Sequence, residues 1–545
     1  MSGQKQSETA SVRGGRRYLP LLLLLFAGSG CSALIYEIVW LQSLQLVIGS
    51  TAVSLAVLLG VFMGGMCLGS IALPRLVSSR FHPLLVYAVL ELGLGFSGIA
   101  VLHGMPYVDS VYSNYAGHGL PGMLLRGAVC AACLLAPTML MGATLPAIAR
   151  WIETTPQGIS WLGLFYGGNI AGAVFGCLLA GFYLLRVHDL ATATYVAVIL
   201  NAAVSALSLA LALVTQHRAP TADSASRRPV PENGIWPVYA TIAFSGACAL
   251  AAEVIWTRLL SLMLGPTVYT FSIILAVFLV GLGIGSSVGS LLARTSPHPR
   301  ILLGACQLLL AAAIAWTAYA LASSLPYWPI NPHLSTSPWF NFQLDLLRCA
   351  WAILPATCLW GASFPLALAA GATPGGDPGV LVGRMYAANT VGAIIGALGA
   401  SLFLIPTLGT RDAQRVLIGL SGAASLFLLA PVLRSILQEA RDESMAGKIV
   451  IRVAGALLVV IIVAIPASVL AWTVPELPWE VVAFGRDLPT STGMWRLQYR
   501  GEGMNSSIAV TERADSVLNF HVSGKVEASS DPQDMRLQRM LAQVP

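Results

Sequence analysis

The chain has 545 residues, of which 56% are hydrophobic and only 10% charged, with a mean hydropathy of +0.76 and a formal net charge of +6. A soluble globular domain carries roughly 25% charged residues, so this composition excludes a soluble enzyme and indicates an integral membrane protein whose first partner is the lipid bilayer. The positive charge lies mostly in loops, where it reports orientation; no basic patch with interleaved aromatics suggests a nucleic-acid partner.

Residues 1–18 are polar, with Lys5, Arg13, Arg16 and Arg17 just before the first apolar run. Gly28-Ser-Gly-Cys31 has the look of a cleavage site. An internal second copy, Ser245-Gly-Ala-Cys248, cannot be one, so the first copy reads as mature helix. Hydropathy places membrane-spanning helices near 19–48, 52–73, 84–103, 122–148, 161–185 and 190–214. A polar linker, 216–234, separates this first six-helix repeat (19–215) from a second (235–433). The second has helices near 236–264, 268–292, 300–324, 346–370, 382–406 and 412–433. One additional helix follows near 449–473.

The division rests on internal repetition. Ser29-Gly-Cys-Ser-Ala-Leu-Ile-Tyr-Glu37-Ile-Val-Trp40 returns about 216 residues later as Ser245-Gly-Ala-Cys-Ala-Leu-Ala-Ala-Glu253-Val-Ile-Trp256. Gly142-Ala-Thr-Leu-Pro146 returns as Gly361-Ala-Ser-Phe-Pro365. Tyr166-Gly-Gly-Asn169 returns as Tyr386-Ala-Ala-Asn389, and Arg126 and Arg348 each follow a Leu-Leu pair. Equivalent points lie six helices apart, so the repeats are parallel, as in the two halves of major-facilitator folds.

Loop charge sets the expected orientation. A cytoplasmic N-terminus puts Arg75, Arg80, Arg150, Arg218, Arg227, Arg228, Arg294, Arg300, Arg434, Arg441 and Lys448 inside. It leaves little beyond Arg186, Arg411 and Arg415 outside. An inner-membrane, multi-pass protein is expected. Residues 474–545 change character. Short alternating runs at Trp495–Tyr499, Ser507–Thr511, Val517–Val522 and Lys525–Glu527, punctuated by Gly501, Gly503 and Gly524, predict an antiparallel meander. A helix opens at Asp531-Pro532.

Glu37 and Glu253 stand as the buried acidic pair of the duplicated unit. A carboxyl in a membrane span is costly and marks a functional site by default, here a proton or cation site shared by the repeats. The alternative is a structural hydrogen bond to a neighbouring helix. Arg126, Arg348 and Arg258 are available as partners, and Asn169 and Asn389 either pair with the acids or bond a neighbouring backbone. The glycine ladders, such as Gly172/Gly176 and Gly392/Gly396, read as close helix packing. Pro146 and Pro365 are hinges or helix stops. The nine cysteines lie in or beside apolar runs, which argues against a disulfide framework. Cys130-x-x-Cys133 lacks a His or acidic partner and reads as packing. The sequence contains no phosphate-binding loop, catalytic triad or metal cluster.

Two stretches together resemble the bacterial fused transporter-like/spermidine synthase membrane proteins. The duplicated Ser29–Trp40 unit resembles their membrane part. Glu502-Gly-Met-Asn-Ser-Ser-Ile-Ala-Val510, Ser523-Gly-Lys-Val-Glu-Ala-Ser529 and Asp534–Pro545 resemble the N-terminal β-region and first helix of spermidine synthases. The resemblance implies aminopropyl transfer from decarboxylated S-adenosylmethionine to a diamine such as putrescine. It also implies a Rossmann-like domain directly after this helix, and the chain stops before one, so 474–545 reads as an incomplete domain without catalytic residues or cofactor of its own. Gln538 matches the border of that family's active site, although Arg539 and Met540 replace its acidic neighbourhood. Thirteen crossings from a cytoplasmic N-terminus place this tail outside the cytoplasm, where S-adenosyl compounds are not expected. The expectations are therefore a membrane protein tied to polyamine metabolism, a transporter for a small cationic or proton-coupled solute using Glu37 and Glu253, or a membrane anchor.

Overall fold

The structure, a computed structural model, describes residues 18–48, 52–78, 81–115, 119–152, 158–215, 235–328, 337–372, 378–439, 457–458, 460–491, 493 and 495–543. The linker 216–234 and the first part of the segment 449–473 lie outside the described residues. The first repeat holds α1 (Leu19–Ile48), α2 (Ala52–Leu76), α3 (Pro83–Tyr115), α4 (Gly119–Ile152), α5 (Gly158–Leu179) and α6 (Leu190–Val214). The second holds α7 (Trp236–Leu264), α8 (Val268–Thr295), α9 (Pro299–Tyr319), α10 (Pro338–Gly371), α11 (Pro378–Gly399) and α12 (Ile405–Glu439). Among the described residues 10 stretches are long and apolar enough to cross a membrane, and the shorter Val57–Leu73 lies within α2. One of the 10, Leu381–Ala430, is broken at Gly409, whose φ of 77° and ψ of 171° are not helical, so it supplies two crossings.

The repeats pack alike. Helix α1 lies on α5, α2 on α4 and α3 on α6; correspondingly α7 lies on α11, α8 on α10 and α9 on α12. Between repeats, α2 meets α11 and α5 meets α8. Exchanging the repeats turns one of these contacts into the other, which a rotation about the membrane normal does. The protein is thus an all-α multi-pass membrane protein of two parallel six-helix repeats, with a further helix and a small sheet after them.

Small residues make the crossings possible. A Cβ at Gly172 or Gly176 would collide with the carbonyl groups of Ala27 and Cys31 in α1, and at Gly392 or Gly396 with those of Ala243 and Ala247 in α7. Gly65 and Gly281 meet Thr138 and Thr357 in the same matched way. Close backbone approach replaces the hydrophobic driving force that lipid removes. Pro146 and Pro365 lie inside α4 and α10, which continue past them, so neither is a stop. A π-helical turn follows α5 at Ala180–Leu184 and α11 at Ala400–Leu404, and another follows α9 at Ala320–Ser324.

The apolar core is shared at one end and divided at the other. One cluster runs through both repeats from Cys31 and Cys248 toward the far ends of α1 and α7. On the N-terminal face the described core residues form two separate clusters. One holds Leu22–Phe26, Leu84 and Ile148 in the first repeat, the other Ile235–Ile242, Leu303 and Leu366 in the second. The repeats therefore join at the face opposite the N-terminus.

After α12 the chain returns through a π turn (Val460–Ala464) and α13 (Ile465–Thr473), which packs on α12 and α9. The tail then holds α14 (Trp479–Phe484), a 3-10 turn (Gly485–Thr490), strands β1 (Trp495–Glu502), β2 (Ser507–Arg513), β3 (Leu518–Val522) and β4 (Lys525–Ser529), and α15 (Pro532–Gln543). The strands form an antiparallel meander in the order β1-β2-β3-β4. Burial alternates along β2, where Ser507, Ala509 and Thr511 face inward against α14. The tail docks on the far ends of the second repeat. Glu502 accepts from the Thr410 amide at 2.7 Å, Arg258 donates to the Met504 carbonyl at 3.4 Å, and Arg486 donates to the Leu264 carbonyl at 3.4 Å. These contacts put the tail on the face opposite the start of α1.

Candidate functional site

Helices α1 and α7, the most deeply enclosed elements of their repeats, carry Glu37 and Glu253 at matching positions. Glu37 is 7% exposed and Glu253 6%. Among the described residues neither has a hydrogen-bond or ion-pair partner. They sit beyond Cys31 and Cys248, within the level of the shared core, where α5 and α8 also meet. There Cys177 donates Sγ–H to the Ser272 carbonyl at 3.2 Å. Tyr36 stacks on Trp40 of the same helix with centroids 4.8 Å apart, and Trp256 packs on Trp360 of α10 at 5.4 Å. Toward the far face, Phe182 of the first repeat packs edge-on against Tyr269 at 4.7 Å and Phe342 at 4.5 Å. Aromatic side chains thus close that end between the repeats.

The other sequence candidates do not converge on the acids. Asn169 donates to the Phe26 carbonyl at 3.2 Å, a backbone bond about three turns along α1 from Glu37. Asn389 lies against Gly246 in the matching place on α7. Arg126 donates to the Tyr112 hydroxyl at 3.3 Å. Arg348 pairs with Asp345, one turn away on α10, at 3.6 Å. Arg258 faces the tail, donating to the Ser507 hydroxyl at 3.1 Å. Among the described residues no arginine pairs with Glu37 or Glu253. Gln538, on α15, donates its amide to the Ser529 carbonyl at 3.3 Å. Among the described residues no group of three His, Cys, Asp or Glu side chains is placed to hold a metal.

Two polar clusters were missed by the sequence reading. Glu91 on α3 is fully buried, so Glu37 and Glu253 are not the only acids deep in apolar runs. Ser29 Oγ donates to Glu91 at 2.6 Å and Asn201 Nδ2 at 3.1 Å. An acidic residue inside Val-Leu-Glu-Leu-Gly was the available signal; the second repeat has Gln307 there, so a search for duplicated acids passes over it. Asp345, 1% exposed, lies near the far face. It receives the Tyr269 hydroxyl at 3.3 Å and Arg348, and approaches Arg486 at 3.9 Å. It thereby links the tail to the aromatic closure.

No protein-family profile matches the sequence. No curated protein matches it either. Among solved structures the chain is similar to the nucleoside transporter NupG, at a TM-score of 0.44 and 13% identity over 76% of this chain and 98% of that one. It is similar to a bacterial homolog of the human lysosomal transporter Spinster in its inward-facing, unoccupied conformation, at 0.43 and 15% over 84% and 97%. It is also similar to an auto-inhibited POT family peptide transporter, at 0.40 and 16% over 79% and 98%.

Proposed function

We propose that the protein is a transporter in which the repeats 19–215 and 235–433 rock against each other, and that Glu37 and Glu253 bind a small cation or the protons that drive its movement. One observation carries the reading: each repeat buries one acid at the same position, and among the described residues neither has a hydrogen-bond or ion-pair partner. A membrane protein that buries two unpaired carboxyls at matching positions holds a place for an exchangeable positive charge. The core, joined at the far face and divided at the N-terminal face, supports the rocking motion; interdigitated glycine crossings keep each repeat stiff. The arginine-rich loops favour a cytoplasmic N-terminus in the inner membrane, with the tail outside.

The test is uptake into proteoliposomes loaded with a pH-sensitive dye, with putrescine and ethidium as probes. Wild type is expected to couple probe movement to protons, and the Glu37→Gln/Glu253→Gln double variant to lose that coupling. Uptake unchanged in the double variant removes the proposal.

A second reading, aminopropyl transfer, draws on residues 495–543 adopting the meander and helix that the resemblance implies. Against it stand the tail's place on the face opposite the N-terminus and the engagement of Gln538 by its own domain's backbone. Spermidine formation by membranes carrying the chain, given decarboxylated S-adenosylmethionine and putrescine, would revive it; none is expected.

A further inference from the structure

The internal repetition extends to a groove that is filled in one repeat and open in the other. Between the far ends of α1, α3 and α6 lies a cavity of about 350 Å³, walled by Trp40, Ser43, Met105, Pro106, Asp109 and Thr194. The matching place between α7, α9 and α12 has walls at the equivalent positions, among them Leu259 for Ser43, Leu321 for Met105, Ala322 for Pro106 and Gln414 for Thr194. There the chain itself enters. Pro475 and Leu477, just after α13, fill the groove and leave about 10 Å³. Arg415 and Arg411 hold that segment by donating to the carbonyls of Ala471 at 3.0 Å and Val474 at 3.2 Å.

A second difference concerns the tryptophans. Trp256 donates its indole N–H to Gln414 Oε1 at 3.2 Å. Trp40, 1% exposed, has no partner for the same N–H. The residue in the place of Gln414 is Thr194, whose hydroxyl is turned back to the Leu190 carbonyl at 2.8 Å. A buried indole N–H without an acceptor costs free energy, and here it belongs to the wall of an open groove.

We propose that this groove binds a membrane lipid of the phosphatidylethanolamine type. Its acyl chain takes the apolar space that Pro475 and Leu477 occupy in the other repeat, and its ammonium faces Asp109. The groove's chemistry selects this occupant. It opens beside Leu46, 73% exposed, toward the bilayer. It lies at the ends of α1 and α6, the level of lipid ester groups. The acidic Asp109 at its rim is exposed, and no Lys or Arg is among the residues that wall the groove. A peptide like the one in the second repeat is disfavoured, because the two arginines that hold peptide carbonyls are replaced by Ala191 and Tyr195.

The full chain, reconstituted with equal phosphatidylethanolamine and phosphatidylglycerol and re-extracted in detergent, can be weighed by native mass spectrometry. Wild type is expected to retain a single phosphatidylethanolamine in preference to phosphatidylglycerol. The Ser43→Leu/Thr194→Gln variant copies the second repeat, filling the space and giving Trp40 its acceptor; its retention should fall about tenfold at an unchanged melting temperature. Asp109→Asn, a milder change, should abolish the preference between the two lipids. Equal retention by the filled variant, no lipid on wild type, an undiminished preference in Asp109→Asn, or a co-purifying protein displaced by the filled variant would each overturn the assignment.

Discussion

Replacing Glu91 tests whether buried polar groups in these repeats act as structural ties. The carboxylate accepts from Ser29 Oγ at 2.6 Å and from Asn201 Nδ2 at 3.1 Å, joining α3 to α1 and α6. Side-chain hydrogen bonds between transmembrane helices are worth about 0.6 kcal/mol on average and at most about 1.7, so losing two costs about 1–3 kcal/mol. Glu91→Ala also empties the volume of four heavy atoms in a closed site, adding about 1 kcal/mol. The expected loss is about 2–4 kcal/mol in denaturant titration of the detergent-solubilised protein. Glu91→Gln should cost less than about 1 kcal/mol. The second repeat already carries Gln307 in that place, bonded to Ser363 Oγ at 2.9 Å. Asn201 Oδ1, now without a partner, can accept from the new amide after its own amide turns over. If the alanine variant is as stable as wild type, or the glutamine variant as weak as the alanine one, the polar-tie reasoning is wrong.

Three further outcomes are expected. Gly392→Val, which drives a side chain into the Ala243 carbonyl, should cost about 1–3 kcal/mol or more, whereas Gly419→Val, with open space beside it, should be close to neutral in the same titration; equal effects would refute the packing account. Asp345→Ala leaves Arg348 buried without its counter-charge, a loss of about 3–5 kcal/mol, and should raise proteolysis around Arg486; an unchanged digestion pattern would show that the tail does not depend on this link. His521, in the tail, has its pKa lowered by burial, so the native state takes up fewer protons than the unfolded one near pH 6.5. Its contribution is present above about pH 6.5 and is lost as pH falls from there through the lowered native value. Tail protection in hydrogen exchange should therefore weaken between about pH 7 and 5, and His521→Gln should flatten that dependence.

Much of this architecture is legible in the sequence because two signals are strong. Apolar runs of bilayer length fix the helices, and alternation in Ser507–Thr511 and Val517–Val522 fixes the strands that the structure contains. The glycine ladders also read correctly, because in lipid a small residue every fourth position has little purpose except close contact. The partners of the charges were not legible. Arg348 was weighed against Glu253, yet its partner Asp345 lies one turn earlier on the same helix, a pairing hidden by attention to duplicated residues. Glu91 escaped for the same reason. Nothing in the sequence singles out Pro475–Leu477, and only the fold reveals that it plugs one groove while the matching one stays open.

The start of α12 shows how unequal the repeats have become. In the first repeat Asp189 caps α6 by accepting from the Thr192 amide at 2.8 Å. In the second the corresponding residue is Gly409, and the carboxylate that serves the helix start is Glu502, reaching across from strand β1. One bundle is self-sufficient; the other borrows its plug and its helix cap from the segment that follows it. Truncation after residue 473 would therefore injure the two bundles unequally, with the damage concentrated where the borrowed pieces had been.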